Sequence, residues 1–385
     1  MSTSILYVLF VIFSGAALLA TLALYARQAL ILSYVVLGAL AGPAVTGLIP
    51  DTVLTSQIAE IGIIFLLYLL GLNLYPQKLL LMLRQALAVT GLSSLGAAAL
   101  GYAAGWLFGL PAIDRLVLAA ALMFSSTILG LKLLPTTALH HRHAGEIIIS
   151  VLLLQDIIAI VVLVALRSAG GEAASGWLQA LGLPLLLAIA YVMGRWVLPL
   201  LLARFDRLHE YLFLLALGWC LGMAEGAVYL GLPHESGAFI AGVALASHPI
   251  SRYIAESLKP LRDFFLVIFF FTLGARFELD AVRQVFGPAL ALAAIVLIAK
   301  PLLFDVLLRR SGEAPKLSRE IGVRLGQISE FSLLIAIVAL DAALIQPATS
   351  YLIQLATLFA FAVSSLWIVR YYPTPIAVDD NLRRD

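Results

Sequence analysis

The stretch 152–160 reads LLLQDIIAI, an apolar run with the acidic side chain of Asp156 at its middle. It lies about halfway along an apolar segment, residues 146–167, that is long enough to cross a bilayer as a helix. At ~1.5 Å per residue, the carboxylate is roughly 15 Å from the ends of this segment. A short acidic side chain cannot reach water from that depth, so it predicts an ion path or a proton relay. The competing interpretation is a structural carboxylate that a neighbouring helix satisfies.

The composition of the whole chain is that of an integral membrane protein. Of its 385 residues, 62% are hydrophobic and 12% are charged, and the mean hydropathy is +1.05. Soluble domains carry about 25% charged residues, so part of this surface must face lipid. The net charge of +2 is too small for a nucleic-acid-binding surface, and we expect no nucleic-acid partner. A single cysteine excludes an internal disulfide framework and a cysteine-rich metal site.

Apolar stretches of spanning length recur along the chain. Thirteen spans are predicted near 4–26, 28–42, 57–74, 85–108, 114–134, 146–167, 179–203, 211–230, 235–248, 261–275, 286–309, 318–343 and 350–371. Cytoplasmic loops carry an excess of Lys and Arg, which tests this count. With the N-terminus outside and the C-terminus in the cytoplasm, the external loops receive only Arg115, Arg167, Arg276 and Arg283 of the 24 basic residues. An extra or missing span midway would destroy this asymmetry.

The two halves of the chain carry similar patterns of small residues. Gly38 matches Gly242 at an offset of 204 residues, and Gly71 matches Gly274 at an offset of 203. Seven spans separate the partners, and an odd number places the two copies in opposite orientations. Inverted repeats of this kind are a recurring architecture of secondary transporters, whose binding site lies near the midplane where the repeats meet.

Hydroxyl side chains fall at matching places in the two copies. The same offset places residues 125–127, which include Ser126 and Thr127, onto residues 328–330 of the twelfth span. We therefore expect two interrupted helices, near 114–134 and 318–343, that face each other. Backbone carbonyls freed at the interruptions would coordinate a cation beside Asp156. Ser and Thr in membrane helices also commonly bond their own backbone, which is the alternative for these hydroxyls.

Two further ionisable side chains lie inside predicted spans. Lys300, in the eleventh span, either extends its ammonium towards the interface or provides a positive charge near the core that influences the protonation of Asp156. Asp305, one turn later, is a candidate partner for Lys300. Glu330, in the twelfth span, either contacts the transported ion or is a structural hydrogen-bonding group at the helix break, with Arg324 as its candidate counter-ion.

Several motifs together resemble one family. The chain resembles the monovalent cation/proton antiporter-2 family, and most closely the membrane domain of the Kef-type potassium/proton antiporters. The resemblance covers nearly the whole chain and lies in residues 62–72 (GIIFLLYLLGL), 125–127 (SST), 154–156 (LQD), 237–242 (GAFIAG) and 326–331 (GQISEF).

The resemblance implies a thirteen-helix fold in which the fifth and twelfth helices are crossed and broken. It implies a mobile core subdomain, including about 85–167 and 286–371, with the remaining helices forming a dimerisation scaffold. Members are typically homodimers that work by elevator-like alternating access, and Asp156 would take either a proton or a cation. Many Kef-type proteins continue into a cytoplasmic nucleotide-binding domain, and residues 1–385 hold no sequence for one.

One departure bears on the transported ion. Sodium/proton relatives commonly carry two adjacent aspartates, whereas this chain has Gln155 before Asp156. A single carboxylate favours one-for-one exchange, and the Gln-Asp pair favours potassium. The predicted function is a potassium/proton antiporter without a cofactor, in a bacterial or archaeal inner membrane. Its predicted ion-binding residues are Asp156, Gln155, Ser126 and Thr127, supported by Lys300 and Glu330.

Other functions remain open at this point. A sodium/proton antiporter would share every feature above, and a gated potassium efflux path would use the same scaffold without obligatory proton coupling. An organic-anion symporter also uses inverted repeats, but a central carboxylate disfavours an anionic substrate. A membrane enzyme would need a nucleophile or cofactor motif, and the sequence contains no phosphate-binding glycine loop and no His-Glu-x-x-His motif.

Overall fold

The computed structural model describes residues 4–26, 28–72, 76–126, 142–170, 176–205, 208–232, 234–246 and 248–372. Its helices are α1 Ile5–Tyr25, α2 Leu30–Ala41, α3 Val53–Leu72, α4 Pro76–Leu107, α5 Ala112–Leu122, α6 Arg142–Gly170, α7 Gly176–Val192, α8 Leu198–Arg204, α9 His209–Tyr229, α10 His234–Ala246, α11 Ser251–Ala275, α12 Leu279–Arg310, α13 Pro315–Leu325, α14 Glu330–Asp341 and α15 Pro347–Tyr371. Between α7 and α8, Met193–Val197 forms a π-helical turn. Each of the thirteen predicted spans contains a helix in its described part, which agrees with the predicted all-helical membrane fold.

Eight helical segments in the described part of the chain are long and apolar enough to cross a membrane, and three shorter apolar helices accompany them. Two helices begin well before the spans predicted for them. Helix α4 begins at Pro76 rather than near 85, and α11 begins at Ser251 rather than near 261. Hydropathy marks the apolar part of a helix, whereas backbone hydrogen bonding continues into polar sequence such as Glu256 and Lys259.

The first of two compact units comprises the described residues of Met1–Phe13, Gly38–Leu81 and Arg167–Arg276. Within it, α3 packs against α10 and α11, and α10 packs against α9. Glycines allow the closest approach: a Cβ added at Gly242 would collide with the carbonyl oxygen of Tyr68, and one added at Gly71 would collide with the backbone around Val243. The small-residue runs noted in the sequence therefore bring helix backbones into contact.

The second unit comprises the described residues of Ser14–Leu37, Met82–Leu166 and Phe277–Asp385. Here α12 packs against α13 and α15, and α14 packs against α5 and α15. A buried apolar cluster joins α6 and α12 to α13 through side chains that include Ile148, Leu152, Phe304 and Leu325. This unit contains every described residue predicted to bind the ion. The assignment of one unit as mobile and the other as a dimerisation scaffold stays a prediction.

Candidate functional site

The twelfth span is interrupted between α13 and α14. Helix α13 ends at Leu325, residues 326–329 are non-helical, and α14 begins at Glu330. The Ser329 hydroxyl caps α14 by accepting a hydrogen bond from the backbone N–H of Phe331 at 3.1 Å. No proline lies in the break itself. Instead, Gly326 lies so close to the ring of Pro301 in α12 that a Cβ at this position would collide with it.

The helix of the fifth predicted span ends at the matching place. Helix α5 ends at Leu122, and residues 123–126 leave the helical path. We call the two non-helical segments, 123–126 and 326–329, the crossing, because Gln327 of the second bonds to the backbone of the first and Ser125 of the first bonds to Leu325, next to the second. The break after α13 is where the sequence predicts it, and so is the end of α5. Thr127 lies outside the described residues, as does the remainder of the predicted fifth span.

Side chains bond to the backbone carbonyls at and beside the crossing. The Ser125 hydroxyl donates to Leu325 O at 2.6 Å, and the Gln327 amide donates to Ser126 O at 3.4 Å. The Ser332 hydroxyl donates to Ala121 O. A broken helix leaves carbonyls without intrahelical partners, and in a lipid environment these must be satisfied within the protein. Each copy of the repeat thus donates hydrogen bonds to backbone carbonyls of the other copy at or beside its non-helical segment.

Lys300 bonds to both halves of the crossing at once. Its ammonium donates to Phe124 O at 2.7 Å and to Gln327 O at 3.0 Å. The residue exposes 0% of its surface, so the prediction that its ammonium extends towards the interface is wrong. The freed carbonyls hold it in the interior. The prediction that Asp305 pairs with Lys300 is also wrong, because Asp305 pairs with Arg309 at 2.8 Å.

Gln155 anchors the helix that carries Asp156 to the crossing. Its Oε1 accepts a hydrogen bond from the backbone N–H of Ser125 at 2.9 Å, and its Nε2 donates to Met123 O at 3.2 Å. Gln155 uses both ends of its amide on the same four-residue segment. Asp156, the next residue of α6, is 3% exposed. The carboxylate is therefore buried on a helix that is tied to the broken backbone.

The other predicted residues lie close by in the sequence of the crossing. Ser126 is fully buried, and its carbonyl receives the Gln327 amide. Glu330 is the first residue of α14, where the positive end of the helix dipole favours a carboxylate. Arg324, fully buried, forms an ion pair with Glu320 at 3.0 Å. The sequence analysis did not single out Glu320, although its spacing of four residues from Arg324 is a signal for a helical ion pair.

Sequence reasoning also misses two buried groups that shape this unit. Asp114 accepts hydrogen bonds from the Thr349 hydroxyl at 2.5 Å and from the backbone N–H of Gln346 at 3.1 Å, at the start of α15. Asp114 is the first residue of a predicted span, and this position gives no signal of a buried role. Ser332 is the second group, and its spacing of three residues from Ser329 on an apolar helix is the signal that could have found it.

A comparison with known proteins identifies the family. The family described as "Sodium/hydrogen exchanger, transmembrane" matches residues 9–372, which is almost the whole chain. The chain belongs to this family. Its members are transmembrane exchangers, and the chain is accordingly a multi-pass membrane protein. The resemblance to cation/proton antiporters inferred from the motifs is confirmed.

Curated relatives share between a quarter and a third of the aligned residues. The chain is 31% identical to "Putative cation/proton antiporter YbaL" of Escherichia coli over 337 residues, covering 83% of this chain and 60% of the relative. It is 26% identical over 350 residues to "Iron transporter MagA" of Paramagnetospirillum magneticum, covering 89% and 80%. It is 29% identical over 367 residues to "Glutathione-regulated potassium-efflux system protein KefC" of Cronobacter sakazakii, covering 92% and 58%. The chain thus spans about three fifths of the first and third of these relatives.

A solved structure has the same fold. The sodium proton antiporter MjNhaP1 from Methanocaldococcus jannaschii, determined at pH 8, superposes with a TM-score of 0.64 and 17% sequence identity. The match covers 94% of each chain. At this identity the likeness establishes the fold and no more.

Proposed function

We propose that this protein exchanges potassium for protons, one for one, at Asp156. The observation that carries the proposal is a buried carboxylate on α6 whose neighbour, Gln155, bonds to the broken backbone at Ser125 and Met123. A buried carboxylate beside broken helices is a place where a proton and a desolvated cation can replace each other. The names of the relatives, which include a cation/proton antiporter and a potassium-efflux protein, agree with this function.

Coupling follows from the competition of two ions for one carboxylate. Proton and cation exclude each other at Asp156, and either ion neutralises its charge. A neutralised site crosses the low-dielectric interior at much lower cost than a bare carboxylate. The core unit that carries Asp156 therefore moves only when loaded, which links the two fluxes. We place this exchanger in a bacterial or archaeal inner membrane as a homodimer, with the N-terminus outside and the C-terminus in the cytoplasm.

Gln155 supports exchange of one proton for one cation. Its amide both accepts and donates a hydrogen bond at the crossing, because an amide carries an acceptor oxygen and a donor NH₂ in one uncharged group. An ionised aspartate at this position would accept but not donate. Gln155 therefore holds the geometry of the crossing without adding a second titratable carboxylate next to Asp156, so the exchange of one proton for one potassium moves no net charge.

The test is proton movement in vesicles that contain the purified protein. A pH gradient is imposed, and potassium, sodium, lithium, choline or ferrous iron is added in turn, the last because one relative is named an iron transporter. We expect potassium to release protons and choline to have no effect. Asp156→Asn should abolish the response while leaving the amount of folded, inserted protein unchanged. Cation-driven proton movement that persists in Asp156→Asn contradicts the proposal.

The same assay separates the alternatives. A sodium/proton antiporter responds to sodium in preference to potassium and also loses its response in Asp156→Asn. A gated potassium path carries potassium without stoichiometric proton movement and at rates far above those of a transporter. The ratio of proton flux to potassium flux, measured in one preparation, distinguishes these cases.

A further inference from the structure

Five backbone carbonyls at the two helix breaks already accept hydrogen bonds. Leu325 O accepts from Ser125, Met123 O accepts from Gln155, and Ser126 O accepts from Gln327. Phe124 O and Gln327 O both accept from the Lys300 ammonium. A carbonyl oxygen has a second lone pair, but a positively charged donor on the first repels a cation from the second. The Lys300 ammonium therefore disfavours a cation at Phe124 O and Gln327 O, and coordination of the transported cation by the other freed carbonyls stays a prediction.

One buried side-chain oxygen at the crossing accepts no hydrogen bond from the described residues. Gln327 is 0% exposed, and its Nε2 donates to Ser126 O. Its Oε1 has no hydrogen-bond partner among the residues that the structure describes. Buried polar atoms are nearly always hydrogen-bonded, so an unbonded acceptor requires an explanation. The Nε2 bond also fixes the orientation of the amide, since turning it over would place two oxygen atoms against each other.

Gln327 and Asp156 are tied to the same short segment of backbone. The amide of Gln327 bonds to Ser126, and Gln155, the neighbour of Asp156, bonds to Ser125 and Met123. Four consecutive extended residues span at most roughly 10 to 14 Å. Gln327, which carries the unbonded oxygen, and the helix that carries Asp156 are thus both hydrogen-bonded to residues 123–126, within the second unit.

We infer that Gln327 Oε1 is a neutral oxygen ligand of the monovalent cation that Asp156 binds. The inference rests on the function proposed above and names a ligand beyond those that the sequence predicts. Amide carbonyl oxygens suit potassium, because their dipoles replace the hydration shell of a large, weakly hydrated cation. A neutral amide does not take up a proton near neutral pH. Gln327 therefore stabilises the cation-loaded site alone and favours the cation in its competition with the proton.

The first variant is Gln327→Met, which keeps the length of the side chain and its burial and removes the oxygen together with the Nε2 donor to Ser126 O. We expect the KM for potassium to rise about tenfold, the size of one net hydrogen bond or ligand contact. The maximal exchange rate should stay within about twofold, because Asp156 still carries the proton. Potassium should also raise the melting temperature of the wild type and lose most of this effect in the variant, since ligand stabilisation follows affinity.

Gln354→Met is the matched control. Gln354 is also buried in the second unit, on α15, where its amide donates to the Ser350 hydroxyl at 2.9 Å. The same replacement there removes a buried amide away from the crossing, and the KM for potassium should not change. Gln327→Asn, which withdraws the oxygen by one methylene, gives a second measurement if the methionine variant does not fold. We expect its KM to lie above that of the wild type.

The outcomes separate the inference from the proposed function. An unchanged KM and an unchanged potassium-induced rise in melting temperature in a folded Gln327 variant would overturn the inference and leave a structural amide that bonds Ser126. Equal losses in the Gln327 and Gln354 variants would overturn it as well. A wild type that moves no protons in response to any cation would instead refute the proposed function itself.

Discussion

The Lys300 ammonium donates a hydrogen bond to the carbonyl oxygen of Phe124 at 2.7 Å, across 176 residues of sequence. A second bond, to the carbonyl oxygen of Gln327 at 3.0 Å, ties the same nitrogen to the other interrupted helix. Lys300 therefore joins the two repeats at the point where both lose their regular backbone hydrogen bonds. A buried cation is stable at such a place because two carbonyl dipoles point at it.

Lys300→Met should destabilise the protein. The variant leaves two buried carbonyls unsatisfied, at about 1–3 kcal/mol for each, offset in part by relief of a buried charge. We expect a clearly lower melting temperature in detergent. Unchanged stability together with a shifted pH dependence of exchange would mean that Lys300 acts through its charge on Asp156 rather than as a bridge between backbones.

Gln155→Asp should change the charge that the protein moves in each cycle. The aspartate keeps an acceptor for the Ser125 N–H and loses the donor to Met123 O. It also adds a second carboxylate beside Asp156, so that more than one proton can be exchanged for one cation. We expect potential-sensitive dyes to report charge movement in the variant and not in the wild type. An electroneutral variant with the ion preference of the wild type would show that the pair does not determine stoichiometry.

Ser125→Ala should loosen the crossing. The Ser125 hydroxyl is the donor to Leu325 O, and its loss leaves that buried carbonyl unsatisfied, at about 1–3 kcal/mol. Ser364→Ala is the control, because the buried Ser364 hydroxyl has no hydrogen-bond partner among the described residues. We expect thermal unfolding to shift to lower temperature in the first variant and to stay unchanged in the second. Equal behaviour of the two would argue against a stabilising bond at Ser125.

Gly326→Ala should be poorly tolerated. A Cβ at this position would collide with the Cγ and Cδ atoms of Pro301, which belong to a rigid ring. Overpacking of this kind typically costs about 1–3 kcal/mol. Gly222→Ala is the comparison, since a Cβ there meets nothing within 4 Å and a helical Gly→Ala change stabilises by about 1 kcal/mol. The yield and melting temperature of the two variants should therefore change in opposite directions.

The spans and the central carboxylate are accessible from sequence because they depend on local properties. A stretch of apolar residues predicts a helix in lipid whatever lies around it, and Asp156 stands out because it is the one charged residue between Glu146 and Arg167 at the ends of its segment. The interruption at 326–329 is predictable only through the repeat, since no proline marks it. It depends instead on Gly326 fitting against Pro301, which belongs to another helix.

The roles of individual polar side chains are not accessible in this way. Sequence alone leaves Lys300 with two interpretations, and neither describes the two carbonyls that it bonds. Gln155 and Gln327 look equivalent as glutamines in apolar helices, yet one uses both ends of its amide on the backbone and the other uses only its Nε2 among the described residues. These differences depend on distances between segments far apart in the chain, which no local pattern encodes.

The bond between Ser125 and Leu325 joins residues 200 positions apart, and this has a consequence for how the protein is made. Ribosomes add about 5–20 residues per second, so roughly 10 to 40 seconds separate the synthesis of the two partners. During that interval the carbonyls of Phe124 and Ser126 enter the membrane before Lys300 and Gln327, their donors, exist. Until the second half is made, water, lipid headgroups or the insertion machinery must donate hydrogen bonds to these carbonyls. A chain truncated before α12 would keep those groups unsatisfied and become a substrate for membrane proteases.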